Sequence, residues 1–280
     1  MTASMVEMPQ RRAPWRLVFR HPLAIRLTHW INVVAMTILL LSGLQIFNAH
    51  PALYLGKIST FDHPLMAIGA SGDPADHGYL EVFGHRFNTT GVLGLSNADG
   101  EPAERGFPSW ITLPAEQDLA TGRRWHFLFA WIFVANGLIY VLFGLLSGQL
   151  RRRLIPTGAD LKSIPAAVLE HLTLRFPKGE EATRYNVLQK LTYLVVVLGL
   201  LPLQILAGLA MSPGMDSVAP WLLDLFGGRQ SARTVHFVIA ALLVLFVLVH
   251  LIMVLLTGPF NNLRGMITGW FAISPEKEEA

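Results

Sequence analysis

Four stretches of this chain are apolar for long enough to cross a membrane. The clearest is Thr234–Leu256, TVHFVIAALLVLFVLVHLIMVLL, interrupted only by His236 and His250. At 1.5 Å per helical residue, about 20 apolar residues span a hydrocarbon core of about 30 Å. The same pattern predicts spans over about 27–47, 125–147 and 186–211, with the last over 234–257. Pro202 inside the third predicts a kink there. Residues 50–124 hold no crossing run. Their Gly/Pro/Asp-rich turns, SGDPADHG and SNADGEPAERG, read as a long loop, with short apolar patches at Leu65–Ile68 and Trp110–Leu113 that suit a membrane surface or a partner. Leu154–Arg184 reads as a polar connection, with a short amphipathic interfacial helix over Ala166–Phe176. The expected fold is all-α integral membrane: a four-helix transmembrane bundle with a long outer loop between spans 1 and 2, one domain over 1–280.

Composition supports several spans, because 52% hydrophobic and 15% charged residues are too apolar for an ordinary soluble domain. The chain has no cysteine, which excludes disulfides, thiolate-bound iron–sulfur clusters and CxxCH haem attachment. No nucleic-acid motif is present, so the basic bias is read as topology. Four spans put both termini on one side, and fifteen of the 22 Lys and Arg residues fall there, including the stop Arg151-Arg152-Arg153. The opposite side carries nine acidic residues in its first loop. The positive-inside rule then places both termini in the cytoplasm of a multi-pass protein of the bacterial inner membrane. The 18-residue apolar run from Trp30 has no small-residue cleavage site after it, so it reads as an uncleaved span.

Histidines carry the candidate chemistry. His236 and His250 are fourteen residues apart, on nearly one helix face and roughly 21 Å apart along the axis. An imidazole within lipid is costly without a partner. His29 opens span 1 at the cytoplasmic end, and His126 opens span 2 at the outer end. Span 4 runs inward, so the four sort by depth into two pairs, His29 with His250 and His126 with His236. Two imidazoles from facing helices are what a six-coordinate b-type haem needs. A zinc site is disfavoured, since each level offers two histidines and no third ligand nearby in sequence. The other histidines (21, 50, 63, 77, 85 and 171) lie in polar segments and read as solvated.

Around these ligands, Gly43 falls at the depth of the outer pair, either admitting a porphyrin or simply as a common membrane-helix glycine. Arg26, Arg123, Arg124 and Arg233 stand near the ligands at the membrane edges, as partners of haem propionates or as interfacial anchors.

RLTHWIN in span 1, RYNVLQK entering span 3, HX13H in span 4 and LRGMITG after it resemble the cytochrome b subunit of membrane formate dehydrogenases. The nickel–iron hydrogenase cytochrome b subunit and cytochrome b561-type proteins form the same group. The resemblance covers all four spans. It implies a dihaem membrane cytochrome that passes electrons between a partner redox enzyme and quinone, with His29, His126, His236 and His250 as axial ligands to iron. It also implies quinone binding by Asn186, with Gln189 and Lys190 in the same motif and Tyr185 before it; a helix start whose polar groups only cap the backbone is the alternative. Leu188 replaces the glycine of the formate dehydrogenase motif, and 50–124 is much longer than the corresponding connection. The long connection is a candidate docking surface for a periplasmic redox subunit, for which similar cytochromes suggest a molybdopterin oxidoreductase; a cover for the haem edge is the other reading.

The expected function is electron transfer across the membrane between a periplasmic redox enzyme and the quinone pool, in a protein otherwise surrounded by membrane lipid. The alternative is a stand-alone oxidoreductase that moves electrons between quinone and a small periplasmic molecule such as superoxide. No side chain is expected to act as a catalytic acid or base on a substrate. Glu180, Glu181 and His171 are candidates to deliver protons to quinone.

Overall fold

A computed structural model describes residues 15–98, 100–173 and 184–273. In chain order, β1 (Arg16–Phe19) leads into α1 (Leu23–Asn48). Six strands follow: β2 (Ala52–Leu53), β3 (Met66–Gly72), β4 (Ala75–Val82), β5 (His85–Asn88), β6 (Gly94–Ala98) and β7 (Glu101–Arg105). Next come α2 (Leu119–Leu146), α3 (Gln149–Arg153), α4 (Gly158–Lys162) and α5 (Ile164–Leu172). Then α6 (Val187–Leu194), a π-helical turn (Val195–Leu200) and α7 (Leu201–Ala210) form one long helix. α8 (Pro213–Val218), α9 (Pro220–Leu225), α10 (Arg229–Leu256), α11 (Pro259–Thr268) and β8 (Trp270–Ile273) complete the described chain.

Four helices are long and apolar enough to cross a membrane: Leu23–Asn48, Leu119–Leu146, Val187–Ala210 and Arg229–Leu256. They match the four expected spans, and the chain is a mainly helical membrane protein. Three begin earlier than the apolar runs. Hydropathy marks where lipid lies, whereas a helix continues into polar residues until a cap ends it. At α2 that cap is Asp118, whose carboxylate accepts the Thr121 N–H at 3.0 Å. The disruption expected at Pro202 takes the form of the π turn just before it, a usual response to a missing N–H and a ring that crowds the preceding turn.

The segment after α1 corrects the expectation of a loop. β2–β3–β4–β5 form an antiparallel sheet in that order, and β6–β7 form a hairpin. Phe83 and Gly84 join β4 to β5 with φ of 49° and 79°, a two-residue turn with both centres left-handed. Asn-Gly is the usual signature there, and Phe-Gly hides it. The amphipathic helix expected over Ala166–Phe176 is α5, ending at Leu172; residues 174–176 lie outside the described residues.

The described chain falls into two compact units. One takes the segment ending at Arg26, Gly144–Tyr193 and the segment from His250 on. In it β1 pairs antiparallel with β8, Arg16 opposite Ile273 and Phe19 opposite Trp270. Asn261 brackets β8, donating to Ala272 O at 2.8 Å and accepting from Ala272 N at 2.9 Å. Arg153 donates to Arg20 O at 2.7 Å, and Lys190 pairs with Asp160 at 2.8 Å.

The other unit takes Leu27–Phe143 and Leu194–Val249, and so contains parts of all four long helices with the β-rich segment. Val196, Ile239 and Leu243 form a buried cluster with Met36 against it. Phe47, Leu53 and Ile68 form another, joining the end of α1 to the sheet, with Phe237 of α10 packed against it. Gly56 O accepts from Gln230 N and Ser231 N at 3.1 and 3.3 Å, two of the N–H groups that the first turn of a helix leaves unpaired. Gly228, at φ 123°, permits this pass, because a Cβ there would lie 2.6 Å from Gly56 O.

Candidate functional site

His126 and His236 are brought together. Asp118 starts α2 so that His126 falls two turns in, and α10 starts at Arg229, seven residues before His236. Their ring centroids are 6.2 Å apart, with planes at 64°. His126 Nδ1 lies 3.2 Å from Leu39 O on α1 and 3.2 Å from Ser42 Oγ. His236 Nδ1 lies 3.0 Å from Gln204 O on α7. A carbonyl only accepts, so each Nδ1 carries the proton and each Nε2 bears the lone pair.

The supports repeat one device. Leu39 stands four residues before Gly43, and Gln204 four residues before Gly208. A Cβ on Gly43 would lie 3.3 Å from His126 Cε1, and one on Gly208 would lie 3.2 Å from His236 Cε1. In each case a carbonyl holds the imidazole and the glycine one turn later gives the ring room. Gly43 therefore admits the imidazole of His126, a role distinct from both the porphyrin contact and the ordinary membrane-helix glycine considered for it. Gln204 also places its amide nitrogen 3.1 Å from His236 Nε2, while its Oε1 is buried with no hydrogen-bond partner among the described residues.

Around this level, Arg233 lies one turn before His236. Its guanidinium sits 5.1 Å over the Phe47 ring and donates to His50 O. No described carboxylate forms an ion pair with it. Burial, and then the nearby Arg233 charge, hold the His50 imidazole below its ordinary pKa. Arg123 and Arg124 are exposed, as anchors at a membrane edge would be. Arg26 donates to Ile267 O, both residues belonging to the unit that holds β1 and β8. Below the sheet, Arg105 is buried and reaches four acceptors: Phe107 O at 2.8 Å, Ala115 O at 2.8 Å, Thr112 Oγ1 at 2.8 Å and Gln45 Oε1 at 3.3 Å.

His29 lies on α1 against Trp30, with ring centroids 5.2 Å apart. Asn136 of α2 is buried and donates from Nδ2 to Thr28 O at 2.8 Å and Asn32 Oδ1 at 2.7 Å, on either side of His29 in sequence. His250 lies near the end of α10 and falls in the other unit.

In that unit the quinone motif has a local structural role. Asn186 Oδ1 accepts from Gln189 N at 2.8 Å and Gln189 Oε1 accepts from Asn186 N at 3.3 Å, a reciprocal cap at the start of α6. Lys190 is the partner of Asp160. Tyr185 packs edge-on against Tyr193 at 5.4 Å. His21, read as solvated, is buried beside Gly265, whereas His63, His77 and His85 are exposed. Glu180 and Glu181 lie outside the described residues, as does the side chain of His171.

A family model described as prokaryotic cytochrome b561 matches residues 20–269. The chain belongs to the prokaryotic cytochrome b561 family. Among curated proteins, the "Putative protein-methionine-sulfoxide reductase subunit YedZ1" of Azospira oryzae is 29% identical over 249 residues, covering 89% of this chain and 96% of that protein. No solved structure matches. As a cytochrome b561, the chain is a membrane electron-transfer protein, and the family implies haem b.

The residues at His126 and His236 fit such a group. Two imidazole–metal bonds of about 2 Å plus the half-widths of two rings come to roughly 6 Å, the separation found. Both Nδ1 atoms donate to backbone carbonyls, as the non-ligating nitrogens of metal-bound imidazoles do. The Arg233 cation, with no ion-pair partner among the described residues, offers a guanidinium for a carboxylate at the same level. Among the described residues, no three histidine, aspartate or glutamate side chains converge as a separate metal site would require.

The sequence reading missed Gly208, Gln204, Ser42 and Asn136. Gln204 and Asn136 carried a signal, each being an amide within an apolar run.

Proposed function

We propose that this cytochrome b561 carries electrons across the membrane between a periplasmic redox enzyme and the quinone pool, through two haems b. His126 and His236 are the axial ligands of one and His29 and His250 of the other. Bound haem supplies a one-electron iron couple. The residues supply ligation, orientation and a dry setting. The observation that carries the reading is the matched support of His126 and His236: each Nδ1 is tied to a backbone carbonyl and each ring is backed by a glycine. The inner pair rests on sequence depth and the HX13H spacing. Arg233 is the guanidinium partner for the outer haem's propionate, being a cation with no described ion-pair partner one turn from His236.

Positive charge supports termini in the cytoplasm, which puts the β-rich segment in the periplasm as the partner's docking surface. The name of the Azospira oryzae relative motivates a partner that reduces oxidised methionine in proteins, with electrons running outward from quinol. Quinone exchange is assigned to Asn186, Gln189 and Lys190 by the family motif, and the reciprocal cap with the Lys190–Asp160 pair frames that segment.

The deciding experiment is a reduced-minus-oxidised spectrum with haem quantification on purified chain. Two b haems per chain are expected. His236→Ala and His250→Ala should each remove one and leave the other. A single haem in fully loaded protein, or two haems of native spectrum in both His29→Ala and His250→Ala, refutes the assignment.

A further inference from the structure

Asn136 is a buried amide in the middle of an apolar membrane helix, and only half of its hydrogen-bonding capacity is met. Its Nδ2 donates to Thr28 O at 2.8 Å and to Asn32 Oδ1 at 2.7 Å. Its Oδ1 is buried with no hydrogen-bond partner among the described residues. An unmet buried acceptor is destabilising, and a leucine would fill the same space without it. Packing stability therefore does not account for asparagine here, and an intramembrane polar residue of this kind is a functional candidate.

Its two acceptors show what it does. Thr28 and Asn32 are four residues apart, so they lie on one stripe of α1. His29 is one residue beyond Thr28, about 100° further round the helix. A clamp on the Thr28/Asn32 stripe fixes how far α1 is rotated about its axis relative to α2, and with it the direction in which His29 projects. Metal ligands need such support, because productive geometry tolerates about 0.5 Å and 10–20° of error. His126 and His236 gain theirs from backbone carbonyls of neighbouring helices.

We propose that Asn136 is the positioning residue for His29: by tying Thr28 and Asn32 to α2 it sets the rotation at which α1 presents that imidazole to its haem. This rests on His29 being an axial ligand.

The test uses full-length, haem-loaded protein and reads the low-temperature EPR g values and the midpoint potential of each haem. His29→Ala first identifies the signal that depends on His29. Asn136→Leu should keep two haems, shift the g value and midpoint of the His29-dependent one, and leave the other unchanged. Asn32→Ala, which keeps the Thr28 contact, should shift the same haem by less, and it carries the test if Asn136→Leu does not assemble. A lower melting temperature with both haem signals unmoved would make Asn136 merely structural and overturn the proposal. Equal shifts in both haems would overturn it too. If His29→Ala leaves both signals intact, the ligand assignment fails first, and the positioning role falls with it.

Discussion

Gly208 stands behind His236 as Gly43 stands behind His126: a Cβ at either position would lie 3.2–3.3 Å from the Cε1 of its histidine. That is tight enough for alanine to need a small shift and for a branched side chain to displace the ring. Gly43→Ala and Gly208→Ala should bind haem nearly as the parent does. Gly43→Val and Gly208→Val should each lose about half of the bound haem, the share held by His126 and His236 in a two-haem chain. Haem-to-protein ratios from absorbance measure this directly.

Arg105 ties the β-rich segment to the end of α1 through Gln45, and no described carboxylate neutralises it. Burial lowers its pKa, yet a guanidinium stays charged at any working pH. Arg105→Met would strand several buried acceptors at once. A loss of about 3 kcal/mol is expected, seen as faster hydrogen exchange in β6 and β7. Unchanged protection there would contradict the assigned role.

Asp160 joins α4 to α6 through Lys190 and caps α4 with Thr157. The Lys190 hydrogen bond, then those from Thr157, draw the carboxyl from its ordinary 3.8 to about 2. A lowered folded-state pKa means the contact contributes fully above about pH 4 and weakens as pH falls towards 2. Asp160→Asn should behave at neutral pH as the parent does near pH 2. Because the chain has no native cysteine, spin labels at Ala159→Cys and Thr192→Cys can report the α4–α6 separation cleanly. An acid-induced broadening of that distance in the parent, absent in Asp160→Asn, is the expected result.

The same lack of cysteine makes orientation easy to read. With termini in the cytoplasm, Ser71→Cys in β3 should react with a membrane-impermeant thiol reagent in whole spheroplasts, and Gln149→Cys in α3 only after lysis. The reverse pattern would invert the proposed path and move the docking surface to the cytoplasm.

The four crossing helices were legible because lipid demands a long apolar run whatever the tertiary contacts. The histidines were legible because imidazole is out of place in such a run. The strands of 50–124 were not. Their alternation is short and broken by glycines, and Phe83-Gly84 lacks the usual turn signature. Gly208 was overlooked for a different reason. Its meaning depends on Gln204 O being shared with His236, a relation between two helices that a linear spacing does not display. His21 lay in a polar stretch, yet the β1–β8 pairing and Gly265 enclose it.

The β1–β8 pairing joins segments separated by some 250 residues of sequence. β1 is made before any of the four crossing helices and must wait, its edge unpaired, until β8 emerges. By then all four helices have been made. Closing this small sheet is therefore a checkpoint in biogenesis, open only to chains in which all four crossing helices have already been made.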